Sequence, residues 1–209
     1  MSRPLFGAIL AAFWMLTGVS PVSAEIDFWK AVDVSGKSDM SDTVRPRWRP
    51  LAEAVFLKTG QSIRTGKNGT VDIVLNRSRE SVVRLNENSR LDIVEGSPWH
   101  LRLSHGSLCV LLEAEGDRIQ VSTPRSSAEL AQGGVFIETG ASGDLWRVFS
   151  EAVRLKGVGA VPEGLQVRVS SGGEIGKPER MRIEDYTDWQ RWFKENYARK
   201  DDPLYTDRV

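Results

Sequence analysis

One cysteine and two histidines are spread over 209 residues, and the formal charge sums to zero. Each scarcity removes a class of explanation. With Cys109 alone, no internal disulfide can form. Stability must then come from packing and hydrogen bonding. Cys109 lies in the apolar run Leu108 to Leu112, which reads as a small buried hydrophobe rather than a reactive thiol. His100 and His105 flank Leu101 to Leu103 without the spacing of a zinc site. A neutral chain has no global basic field, so nucleic acid is a poor partner. No Gly-x-Ser-x-Gly elbow, Gly-x-Gly-x-x-Gly loop or phosphate loop occurs. Ser104 and His105 are neighbours in sequence only, which says nothing of catalytic geometry. Glu113, Glu115 and Asp117 form an acidic turn with too few oxygens for calcium, and Gly116 favours a plain solvated hairpin. Asp39 and Asp42 share that shortfall. The residues predict no catalytic group, no metal and no cofactor, and the chain reads as a non-enzyme.

Long apolar runs are scarce too, and the one present opens the chain. Arg3 is a small basic n-region, Leu5 to Val19 is uncharged and apolar, and Pro21 breaks the run. Val22-Ser23-Ala24 then forms a small-residue cleavage site before Glu25. The run is shorter than the roughly 20 residues of a spanning helix, so cleavage between Ala24 and Glu25 is preferred over an uncleaved anchor. No cysteine follows it, which argues against lipid anchoring. The expected mature protein is soluble, periplasmic or secreted, and without a membrane span after cleavage. Losing Arg3 takes Lys plus Arg from 28 to 27 against 28 acids, a formal charge of −1. Its size suits one domain of roughly 100 to 200 residues.

What remains is β-patterned. Phe28 to Val34 reads as a strand, and Gly36 to Pro50 as a polar loop with Asp39, Asp42, Pro46 and Pro50. From Leu51 to about Gly176 apolar and polar residues alternate in short runs. The expected strands include Val71 to Leu75, Val82 to Leu85, Leu91 to Val94, Leu101 to Leu103, Gly106 to Leu112 and Ile119 to Ser122. Gly134 to Glu138, Trp146 to Phe149, Val153 to Leu155 and Leu165 to Val169 continue the series. Glycine turns punctuate it, among them Asn68-Gly69, His105-Gly106, Gly133-Gly134 and Gly172-Gly173. The period then changes. Tyr186, Trp189, Trp192, Phe193 and Tyr197 recur at helical spacing between Ile183 and about Arg199, with Glu184 and Asp185 in the first turn. Such an aromatic stripe either packs on its own chain or binds a partner, and the first is favoured. The predicted fold is mainly β, short strands stacked as a solenoid or sandwich, with one C-terminal amphipathic helix.

The order of motifs from Trp48 to about Pro178 resembles the FecR-like domain, the periplasmic domain of the ferric-citrate regulator family. The matching residues are Leu57 to Gly66, Gly69, Val71 to Leu75 and Val83 to Leu91. Leu101-Arg102-Leu103-Ser104-His105-Gly106, Val121-Ser122-Thr123-Pro124 and Gly133 to Glu138 come next in the family's order. Glu151 to Leu155 and Pro162 to Gly164 correspond loosely to its late segments. Three positions depart: Gln61 stands for the usual Asp, Asn76 to Ser81 lengthens a tight turn, and Gly134 stands for the usual Thr. The resemblance implies stacked β-repeats. Ferric-citrate-type regulators add a segment acting on a sigma factor and a membrane helix, and neither is read here, so a stand-alone exported member is implied.

These readings divide the chain into a signal peptide at 1–24, a strand and polar loop at 25–50, a FecR-like β domain at 51–180, and a helix with its tail at 181–209. The expected function is a non-catalytic binding or scaffold module of the bacterial cell envelope, its partner an envelope protein or glycan. The alternative is a sensory component working through a separate membrane partner, with an envelope-glycan enzyme third. The candidate surface is Arg45, Arg47 and Trp48, where guanidinium groups beside an indole can bind a carboxylate or sugar acid. The competing reading has Trp48 anchor the loop to the core with the arginines solvated. Mass analysis of the protein exported by its native host should give Glu25 as first residue, and full-length protein embedded in the membrane would refute the cleavage.

Overall fold

The computed structural model describes residues 29–42, 47–75, 81–96, 98–113, 115–187 and 191. In chain order the strands are β1 (Trp29–Ser35), β2 (Ser38–Asp42), β3 (Arg49–Pro50), β4 (Val55–Leu57), β5 (Gln61–Thr65) and β6 (Thr70–Val74). Then come β7 (Val82–Leu85), β8 (Arg90–Gly96), β9 (Trp99–Leu112), β10 (Ile119–Ser122), β11 (Ser127–Leu130) and β12 (Gly133–Gly140). Last are β13 (Gly143–Ser150), β14 (Ala152–Leu155), β15 (Gly159–Pro162), β16 (Leu165–Ser170) and β17 (Glu179–Arg180). A short helix, α1 (183–187), comes after them. Among the described residues no helix is long and apolar enough to cross a membrane.

The strands form two layers. Sheet A runs β4-β1-β6-β7-β9-β12-β13-β16-β17. Sheet B runs β3-β2-β5-β8-β9-β10-β11-β14-β15. The chain passes back and forth between the layers while advancing along both, so the mainly β expectation holds as a two-layer, solenoid-like sandwich. Because side chains alternate across a strand, every second residue points inward. Ile63, Leu91, Leu103 and Val121 of sheet B meet Val71, Val83, Leu85, Leu108 and Val110 of sheet A in one fully buried cluster. Each such side chain stabilises by roughly 1.5–3 kcal/mol on burial. A continuous cluster of them serves a chain that has no disulfide.

Strand β9 belongs to both layers. Residues 99–105 pair with β8 and β10 in sheet B, and residues 106–112 pair with β7 and β12 in sheet A. The crossing is made at Gly106, whose φ is +88°. A Cβ there would lie 2.1 Å from Ser89 Oγ and 2.5 Å from Ser89 Cα. Ser89 Oγ itself donates to Ser107 O at 3.2 Å and accepts from Ser107 N–H at 2.9 Å, tying the bend to the turn before β8. His105-Gly106 is therefore a bend inside one strand, and the two strands expected at 101–103 and 106–112 are a single element.

Other departures have local causes. Residues 36–50, expected as a loop, contain β2, whose Ser38, Met40 and Ser41 are buried while Asp39 pairs with Arg64 at 2.9 Å. With one apolar residue in the strand, hydrophobic alternation could not reveal it. Residues 29–50 share both layers with the later strands, since β1 pairs with β6 and β2 with β5. Gln61, at the position where the family has Asp, accepts from Lys58 N–H at 2.9 Å and donates to Asp42 at 2.9 Å. It closes the 58–61 turn and ties it to β2. The edges are short: β4 and β17 bound sheet A, β3 and β15 bound sheet B, and Pro50 and Pro162 sit on the latter pair. Such edges offer little template for strand addition.

Gly106→Ala should destabilise the mature protein by ~2 kcal/mol or more, the scale of a strained backbone conformation plus an unrelieved contact. A urea midpoint equal to that of the unsubstituted protein would show that the bend does not need glycine.

Candidate functional site

The two outer faces of the sandwich differ. On sheet A the outward residues Cys109, Leu111 and Phe149 are buried with Met181, and Phe136 and Tyr186 pack against them. The chain's own segment around α1 thus lies on this face. Phe149 and Tyr186 meet edge to face at 5.9 Å. Asp185 pairs with Arg147 at 3.1 Å, and Arg147 lies over Phe136 at 5.4 Å. Asp185 also accepts from the backbone N–H of Arg182 at 3.3 Å, a side-chain cap for the first turn. Alongside, Arg84 forms a two-point pair with the buried Asp72 at 2.6 and 2.7 Å. Burial pushes the Cys109 thiol up to about 12, only partly offset by Asn86 and Arg84, so it is inert as a nucleophile. The helix starts where the sequence predicts. Trp189, Trp192 and Phe193 fall outside the described residues.

The outer face of sheet B is polar and open. At one end Asp39 pairs with Arg64 at 2.9 Å and Asp92 with Arg90 at 3.3 Å. Trp48 lies over both guanidinium groups, 4.3 Å from Arg64 and 5.5 Å from Arg90. Trp48 therefore sits on this outer face and is absent from the core cluster. Arg47 is exposed beside it, while Arg45, Ala24 and Glu25 lie outside the described residues. The indole is occupied by the protein's own arginines. Asp92 is equally committed, accepting from Ser62 at 2.6 Å and Ser104 at 3.0 Å as well as from Arg90.

The next strands carry a depression of about 610 Å³ lined by His100, Arg102, Gln120, Ser122, Arg125 and Lys156 among others, with no carboxylate among the described residues of its walls. Strand register builds it. Arg102 stands opposite Ser122, which stands opposite Ser127, and the Lys156 N–H donates to Ser127 O at 2.9 Å. Arg102 and Lys156 are exposed, and among the described residues neither makes an ion pair. Ser122 donates to Leu101 O at 3.2 Å, so at 3.0 Å from it His100 Nε2 must be the donor. His100 then presents a free Nδ1 acceptor when neutral. Partial burial and then Arg102 hold its proton affinity below the usual histidine range.

Beneath this depression lies a tie between the layers. Asp144 of β13, in sheet A, is buried and accepts from Thr123 Oγ1 at 2.5 Å, Ser126 Oγ at 2.7 Å and Thr139 Oγ1 at 2.5 Å. Arg125 approaches it at 3.3 Å. Ser126 in turn accepts from the indole N–H of the core residue Trp146 at 2.9 Å. The Val121-Ser122-Thr123-Pro124 motif thus ends β10 in sheet B with a hydroxyl committed to sheet A. Residues 123–126 are held rigid, and Arg125 is positioned at the rim.

Among the described residues no catalytic constellation appears, and no three His, Cys, Asp or Glu side chains are grouped to hold a metal. His100, Arg102 and Lys156 were not singled out by the sequence as one site. Arg102 alternates visibly between Leu101 and Leu103, but Lys156 reaches it only through the β11–β14 pairing.

No protein-family model matches the chain, and no curated protein matches it. Solved structures do. Two crystal structures of a candidate anti-sigma factor from Parabacteroides distasonis ATCC 8503, at 1.65 and 2.50 Å resolution, superpose with a TM-score of 0.52 and 16% identity. Each match covers 62% of this chain and 64% or 63% of that one, so the chain spans a little under two thirds of these neighbours. At this identity the likeness carries the fold.

Burial pushes the Asp185 carboxyl up, but the Arg182 hydrogen bond and the charge of Arg147 outweigh it and hold it below the usual carboxylate range. A carboxyl lowered in the folded state stabilises fully above its unfolded value and loses that contribution as pH falls through the folded one. The α1 contact should therefore weaken on acidification below about pH 4. Asp185→Asn should lower the urea midpoint at pH 7 and narrow the difference between pH 7 and pH 3. An unchanged pH difference would remove Asp185 from the account.

Proposed function

We propose that the chain is an exported, FecR-like, non-catalytic binding module of the cell envelope, and that its recognition surface is the outer face of sheet B. The contrast between the two outer faces carries this reading. The middle of sheet A, at Cys109, Leu111 and Phe149, is covered by the chain's own α1 segment, whereas the middle of sheet B exposes a polar face on which Arg102 and Lys156 make no ion pair among the described residues. Rigid presentation of polar groups on regular strands suits recognition, because little ordering is needed on binding. The N-terminal apolar run and small-residue cleavage site support export. A sensory role through a separate membrane partner is the second reading. It is favoured by the description of the neighbouring structures as a candidate anti-sigma factor, and the FecR-like motif order points the same way.

The test uses the buried Cys109 as a silent background. Gln120→Cys places one reactive thiol on the open face, and Lys67→Cys places one on a turn at the end of the sandwich. Mature protein should co-sediment with envelope from its own host. A polyethylene-glycol maleimide attached at position 120 should abolish that retention, while the same polymer at position 67 should not. Retention indifferent to both attachments, or absent from the start, would overturn the reading. Retention that disappears when the envelope is first stripped of protein would make the partner an envelope protein, as the sensory reading requires and the module reading allows.

A further inference from the structure

Resting on that reading, we propose that the sheet B depression binds a linear acidic polysaccharide through Arg102 and Lys156. The chain is close to electroneutral, and several strand arginines are matched: Arg64 with Asp39, Arg84 with Asp72, Arg90 with Asp92, Arg147 with Asp185 and Arg168 with Glu179. Arg102 and Lys156 make no ion pair among the described residues, and they share one concavity whose described walls hold no acid. The carboxylate directly across from Arg102 is Asp92, and its oxygens are taken by Ser62, Ser104 and Arg90. An anion entering here meets uncompensated positive charge.

The spacing suits a chain of charges rather than one. Strands β9, β10, β11 and β14 separate Arg102 from Lys156 by three interstrand steps, roughly 14 Å at about 4.8 Å each. A second depression, of about 550 Å³, adjoins the first through Gln120, Ser127 and Lys156 and adds Arg118 and Arg154. Arg118 is shared with Glu129 at 3.6 Å, so the positive strip weakens toward that end. Between the cations the floor offers Gln120, Ser122 and Ser127, which can pair with sugar hydroxyls. An acidic peptide fits less well. Peptides bind by adding to a sheet edge, by placing side chains in apolar pockets, or, for acidic motifs, on clustered arginines, and here the two cations stand three strands apart rather than clustered. This face lies mid-sheet, the edges are short, and Ile175 is the one large apolar residue among those described in the wall. Exposed Arg and Lys can form charge-assisted bonds to carboxylates, two-point in the case of Arg.

The probe is polygalacturonate, with dextran as neutral control and poly-glutamate as the peptide comparison. Mature protein should be retarded in polygalacturonate affinity gels and not in dextran, with retardation falling as salt screens the charges. Arg102→Ala combined with Lys156→Ala should weaken binding roughly tenfold or more, the scale of one charge-assisted contact. Lys177→Ala with Arg180→Ala removes the same charge elsewhere and should leave binding intact. Both double variants alter exposed side chains, and equal melting temperatures would show that folding is untouched. Equal affinity for poly-glutamate would overturn the polysaccharide assignment. So would absence of polygalacturonate binding, or equal losses in the two double variants. If polygalacturonate fails while the modification at position 120 still blocks envelope retention, the ligand class is wrong and the module reading stands.

Discussion

The structure depends on one strand being shared by two sheets. β9 is long enough to run through sheet B, turn at Gly106 and finish in sheet A. Everything before it accumulates on one side and everything after it on the other, in both layers at once. The bend is possible because Gly106 takes a left-handed φ and because Ser89, rather than a side chain on residue 106, fills the space beside it. The turn that supplies Ser89 is held in its own way. Thr65 donates to Asn86 O at 2.5 Å and accepts from Ser89 N–H at 3.0 Å. Asn88, like its counterpart Asn68, adopts a positive φ in a two-residue turn. A bend, a glycine and two asparagine turns therefore form one assembly at the point where the layers join.

A second cross-layer tie explains how a flat polar face stays ordered. Asp144 collects three hydroxyls and approaches one guanidinium, and these groups come from the end of β10, the turn after it and β12. A buried carboxylate is costly unless fully hydrogen-bonded, and here its oxygens are saturated. The turn between β10 and β11 thus cannot drift, which fixes Ser122, Arg125 and the floor of the depression. Trp146 joins the same network through Ser126, so the largest core residue of β13 and the outer face of sheet B are mechanically continuous.

How much of this was legible in the sequence depends on what periodicity measures. Strands with apolar alternation, such as β7 at Val82 to Leu85 and β10 at Ile119 to Ser122, were readable to the residue. β2 was not, because its burial is carried by Ser38, Ser41 and one methionine. Gly106 was visible, yet a glycine in a bend and a glycine in a turn look alike in one dimension. The helix was legible at its start, since Asp185 in the first turn does there what a first-turn acid does, and adds Arg147 as a partner. The Arg45, Arg47 and Trp48 cluster drew attention through local density. The folded chain shows the indole of Trp48 already covered by Arg64 and Arg90.

The depression on sheet B was invisible for a different reason. Its residues are ordinary one at a time, and Arg102, Ser122 and Lys156 meet only through β9–β10, β10–β11 and β11–β14 pairing. What marks them needs coordinates: two exposed cations on different strands share one concavity whose described walls hold no acid. Exposed cations about 14 Å apart are largely screened from each other in salt, so their placement weighs little on folding either way. The Asp144 network fixes the floor beneath them, so their grouping is a product of strand pairing and of that buried tie rather than of any local run of sequence.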